Sequence, residues 1–167
     1  MPSVRSSPLE QETRAVHRPG SQHRRARRNM RSRSPRPGKP AAKQGDKIVG
    51  IDTHVLMVPS PGGPVPTPTP MPFSGNLSGD LSADVLVEGK PAAIQGSTAT
   101  NTPAHVPAGG TFQRPPSNQA RVHTGSKTVL INNKPAAHLG DPALTCNDPA
   151  DAPNGSVIAA GTVLVGD

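Results

Sequence analysis

The chain has almost no aromatic side chains: two Phe, no Trp and no Tyr among 167 residues. A thick core built on large rings is therefore not expected. There is a single cysteine, Cys146, which excludes an intramolecular disulfide scaffold. No apolar run reaches membrane-spanning length, and no window carries the apolar periodicity of a long amphipathic helix. The basic N-terminal stretch is never followed by an apolar segment, so no secretory signal peptide is expected and synthesis in the cytoplasm is. Common signatures of catalysis are missing too: there is no HExxH, no glycine-rich phosphate loop and no Gly-x-Ser-x-Gly elbow.

What the sequence has instead is Gly and Pro, 17 and 22 residues, close to a quarter of the chain. Brief β-branched runs between these breakers predict a small all-β body of short strands and long ordered loops. Charge divides the chain in two. Residues 1 to 38 hold ten Arg and two Glu, a balance of +8, whereas residues 39 to 167 hold eight basic and nine acidic groups, a balance of −1. The first segment reads as a disordered, Arg-rich tail, and the second as the folded domain. Nucleic-acid binding would have to use that tail, notably Arg24-Arg25 and Arg27-Arg28, because the body has neither a basic surplus nor stacking groups.

The organising motif is Lys-Pro-Ala-Ala, which occurs three times, each copy followed by two variable residues, Gly, and Asp or Ser: Lys39 to Asp46, Lys90 to Ser97 and Lys134 to Asp141. Apolar runs ending in a tight turn precede two copies, Val85-Leu86-Val87-Glu88-Gly89 and Val129-Leu130-Ile131-Asn132-Asn133. The matching third run, Val163-Leu164-Val165-Gly166-Asp167, closes the sequence. A unit this small cannot bury its apolar face alone and must pack on its copies. If the last run pairs beside Lys39, three KPAA-type hairpins close into a pseudo-threefold ring. Glu88-Gly89 and Asn132-Asn133 suit tight hairpin turns, the alanine pairs permit close backbone approach, and Gly45, Gly96 and Gly140 end each copy.

Three excursions separate the hairpins: Ile51 to Asn76, Thr98 to Asn118 and Pro142 to Asn154. The first carries prolines at 64, 66, 68, 70 and 72, which predict an extended, polyproline-like path without a hydrogen-bond ladder. Loops this long in a small domain need something to hold them. His54 stands nine residues after Gly45, His105 nine after Gly96, and Cys146 six after Gly140. Around a threefold axis these positions converge, and two imidazoles with a thiolate suit one structural Zn²⁺. Met71 is the candidate fourth ligand, although a thioether is a poor one for zinc; a water is the alternative. Asp52 and Asp148 read as loop caps or as groups supporting the ligands. His138 is expected to face outward along the body, and His123 to be structural.

The repeated Lys-Pro-Ala-Ala-x-x-Gly-Asp, the Val-Leu-Ile-Asn run and the His/His/Cys loops together resemble the PAAR-repeat family over residues 39 to 167. Asp52-Thr53-His54, Pro59 to Phe73, Gly96 to His105 and Thr145 to Pro149 look like the PAAR-like tip proteins of phage-tail-like extracellular contractile injection systems more than type VI secretion versions. The resemblance implies a cone-shaped β-prism with a zinc ion near its point. It further implies a structural, membrane-puncturing role rather than an enzymatic one, with one cap on each trimeric spike. The implied partners are that spike, cargo effectors and, transiently, the target membrane outside the producing cell. At Met71 the family would carry a further His, and the Arg-rich tail is atypical. Two other classes stay open on the residues alone: a zinc-dependent hydrolase, and a basic nucleic-acid-binding protein acting through the tail.

Overall fold

The computed structural model describes residues 38 to 166. The expected disordered tail, Gly38 apart, lies outside the described residues. What is described is all-β, with no helix among these residues. The strands are β1 (Lys39–Pro40), β2 (Lys47–Val58), β3 (Val65–Gly79), β4 (Leu86–Val87), β5 (Lys90–Pro91), β6 (Thr98–Asn101) and β7 (Thr111–Phe112). They continue with β8 (Gln119–Val122), β9 (Leu130–Ile131), β10 (Lys134–Pro135), β11 (Pro142–Thr145), β12 (Ala152–Ile158) and β13 (Leu164–Val165).

Three two-stranded antiparallel sheets carry the Lys-Pro segments. β4 pairs with β5 and β9 with β10. The turns between them place Glu88 and Gly89 at φ 52° and 77°, and Asn132 and Asn133 at 51° and 61°, the left-handed pair that a tight two-residue hairpin turn requires. The third sheet joins the two ends of the described chain, β1 with β13, in the same register: Lys39 opposes Val165 as Lys90 opposes Val87 and Lys134 opposes Ile131.

The alanine pairs tie these sheets together. Ala42 N donates to Ala137 O at 2.8 Å, Ala137 N to Ala93 O at 3.0 Å, and Ala93 N to Ala42 O at 2.9 Å, a cycle of three backbone bonds. Around it runs a second set, Gln44 N to Pro91 O, Gln95 N to Pro135 O and Leu139 N to Pro40 O. All six alanines are buried. The second of each pair (Ala42, Ala93, Ala137) enters the larger apolar cluster with Ile48, Phe73, Leu77, Val122 and Val157. The first (Ala41, Ala92, Ala136) enters a smaller one with Val87 and Val165.

The larger cluster lies within a seven-stranded antiparallel sheet of order β12-β11-β8-β6-β3-β2-β7, in which β12 also pairs with β2. Six of its strands therefore form a closed circuit of pairings, which removes most open edges. Close approach is required where β3 meets β6: a Cβ at Gly75 would stand 2.6 Å from Thr100 O.

The proline-rich excursion differs from its sequence reading. β2 and β3 form a continuous ladder from Lys47↔Asn76 to Val58↔Val65. The reason is the alternation itself. Pro66, Pro68, Pro70 and Pro72 fall on every second residue, so the positions lacking an N–H can all face away from β2 while Thr67, Thr69 and Met71 supply the donors. His138 also departs from expectation. It is 1 % exposed, not outward, and its Nδ1 stands 2.9 Å from Asp141 Oδ1.

Candidate metal centre

Along β2 the buried residues are Ile48, Asp52, His54 and Leu56. The period of two on a strand sends Asp52 and His54 into the interior from the same face. His105 comes from the segment after β6. Its backbone N donates to Asn118 Oδ1 at 2.7 Å, while Asn101 Oδ1 accepts from Ser74 N at 2.8 Å and so fixes the base of that segment on β3. Cys146 follows β11, and its loop is stitched to β2 by three bonds. Thr53 N donates to Asn147 Oδ1 at 2.9 Å, Asp148 N to Thr53 O at 2.9 Å, and Val55 N to Asp148 Oδ2 at 2.8 Å.

The result is a cluster in which one ligand atom each from Asp52, His54, His105 and Cys146 lies within 4.8 Å of all the others. Such a group can hold a metal ion. Asp52 Oδ2 is 3.1 Å from His105 Nε2 and 3.2 Å from Cys146 Sγ, and His54 Nε2 is 4.0 Å from that sulfur. His54 turns its other nitrogen, Nδ1, toward Asp148 Oδ2 at 3.6 Å, and this buried Nδ1 makes no hydrogen bond. A carboxylate behind the far nitrogen of an imidazole is the arrangement that orients a metal-bound histidine. Arg114 holds Asp148 in turn: its Nε donates to Asp148 Oδ1, and its two terminal nitrogens to Pro149 O and Asn147 O.

The chain's two phenylalanines both flank the cluster, Phe112 with its edge against the His54 ring at 5.6 Å between centroids and Phe73 at 6.4 Å from His105. Burial, and next the neighbouring His105, hold the His54 pKa below its ordinary 6.5, against the opposing pull of Asp148 and Asp52. A neutral imidazole is the form that ligates. Burial, and then Asp52 beside it, push the Cys146 thiol up to about 12. Without an ion the thiol keeps its proton, and a bound cation would displace it.

The structure thus brings together His54, His105 and Cys146, the three residues singled out from loop offsets. Met71 is buried on the same face of the sheet as Asp52 and His54. It opposes Asp52 directly across the β2–β3 ladder, and it lines a surface concavity of about 250 Å³ together with His105. The fourth member of the cluster is Asp52, read from sequence as a cap or support. The signal for it was Asp-x-His: two residues apart on a strand means one face. Asp148 holds the supporting position read for it, behind His54. His123 keeps a structural part through its backbone, N donating to Pro142 O and O accepting from Gln95 Nε2.

No family model matches the chain, and no curated protein matches it.

Proposed function

We propose that this chain is a structural spike-tip protein. In this reading residues 39 to 167 form a pseudo-threefold β-prism of three KPAA-type hairpin repeats that caps the trimeric spike of a contractile injection system. A zinc ion would stiffen its point for piercing a target envelope outside the producing cell. The observation that carries the reading is the cycle of backbone bonds through Ala42, Ala137 and Ala93. A single chain that closes on itself through three like segments offers a trimer three like surfaces, which an unrelated monomer does not.

Two further observations support it. Leu86, Leu130 and Leu164 occupy the same register position in the three two-stranded sheets, opposite Pro91, Pro135 and Pro40, and they are 58 %, 60 % and 56 % exposed. Three matched apolar side chains suit a partner with a true threefold axis; in this reading they belong to the base. The metal centre offers two nitrogens, one oxygen and one sulfur, a donor set that suits four-coordinate zinc. The preference for a phage-tail-like extracellular system rests on the sequence resemblance alone. No catalytic role is assigned to the ion.

The test is binding of the full chain to a purified trimeric β-helical spike, with each leucine replaced by alanine in turn. Burying the exposed half of a leucine contributes about 1 kcal/mol, so each replacement should weaken binding by about fivefold and the triple replacement by about a hundredfold. Binding that ignores all three substitutions would contradict the reading.

A further inference from the structure

We propose that Asp52, and not Met71, supplies the fourth ligand to the metal, and that Asn147 is the residue that aims its carboxylate. The assignment rests on the metal-bound reading above and concerns which of this chain's residues complete it.

Asp52 is 0 % exposed, and among the described residues its ion-pair partner is His105, with no Lys or Arg salt-bridged to it. A carboxylate in such a place is costly unless a cation compensates it. Its two oxygens are used differently. Oδ1 accepts from Asn147 Nδ2 at 3.2 Å, while Oδ2 points at the cluster, 3.1 Å from His105 Nε2 and 3.2 Å from Cys146 Sγ. Ligand atoms bound tetrahedrally at about 2.0–2.3 Å stand roughly 3.3–3.8 Å from one another, so Oδ2 needs only a small movement to share an ion with both.

Asn147 is itself fixed on both sides of its amide. Nδ2 also donates to Thr145 O and Oγ1, while Oδ1 accepts from Thr53 N and from Asn154 Nδ2. The amide cannot turn without breaking these bonds, so its N–H₂ holds one Asp52 oxygen and leaves the other for the ion. Charge favours the same choice. A carboxylate with a thiolate balances a divalent cation in this buried site, and direct coordination brings the Asp52 charge nearer to the ion than any outer position could.

The test is X-ray absorption at the zinc edge on the full chain loaded with zinc. The wild type should show one sulfur near about 2.3 Å and three nitrogen or oxygen neighbours near about 2.0 Å; a second sulfur would assign Met71 and overturn the proposal. In Asp52→Cys the count should rise to two sulfurs, and one sulfur at full loading would overturn it. If that variant does not fold, zinc affinity of Asp52→Asn decides: a fall of at least about tenfold is expected, and an unchanged affinity overturns the proposal. Asn147→Ala should weaken zinc by about 10–100-fold with the ligand count unchanged, and wild-type affinity there would refute the aiming role. A wild-type chain that takes up no zinc is a different result, which removes the metal reading itself.

Discussion

In the zinc-bound reading, stripping the ion should lower the thermal stability of the chain by an amount that can be worked out in advance. The four side chains of the cluster come from three separated pieces of chain: β2, the segment after β6, and the loop after β11. An ion held by all of them binds the folded state and not the unfolded one. With free zinc about a thousandfold above its dissociation constant, linkage contributes about 4 kcal/mol. Unfolding entropy near 2.1 cal/mol/K per residue over roughly 130 folded residues is about 0.3 kcal/mol/K. The Tm should therefore fall by about 15 °C when a chelator removes the ion, read by calorimetry before and after dialysis. His54→Ala should begin near the stripped value and change little on chelation. The reasoning is refuted if chelation moves the wild-type Tm by less than about 3 °C, or if His54→Ala responds as the wild type does.

Two other outcomes follow from the same structure. The metal-free chain should lose stability on both sides of neutrality. His54 titrates below 6.5 in the folded state, so the unfolded chain takes up the extra proton as pH falls past that value; Cys146 titrates near 12 against an ordinary 9.0, so the unfolded chain loses its proton first as pH rises past 9.0. Urea midpoints across that range measure both flanks, and a profile flat below pH 6.5 and above 9.0 would contradict the burial of the two groups. Ala93→Val adds two methyl groups where the backbones of three segments meet, and overpacking there should cost about 1–3 kcal/mol in urea unfolding; a neutral result would mean that the alanine cycle is looser than its bonds indicate.

Much of the scaffold was legible because it rests on residues with few alternatives. Glu88-Gly89 and Asn132-Asn133 announce left-handed turns, and the alanine pairs announce close contact, so both hairpins could be placed by eye. The third two-stranded sheet, β1 with β13, followed from matching the last apolar run to the first Lys-Pro. The meeting of His54, His105 and Cys146 was legible for a related reason: counting from Gly45, Gly96 and Gly140 compares equivalent positions. Asp52 was not, because its role depends on β2 being a strand, and the alternating prolines of β3 argued against a ladder until their register was known. His138 was misplaced because position five of the motif holds Lys43 and Ile94 in the other copies, and nothing local says that here an Asp three residues on will hold an imidazole inside. Phe73 and Phe112 gave no warning that they would close around the histidines, since that contact joins strands far apart in sequence.

The central claim is that one chain presents three like surfaces to a threefold partner. Native mass spectrometry of the full chain mixed with a trimeric β-helical spike tests it most directly. The account predicts one chain per trimer, with no further uptake when the chain is in excess. Three chains per trimer, or no complex at any ratio, would contradict it.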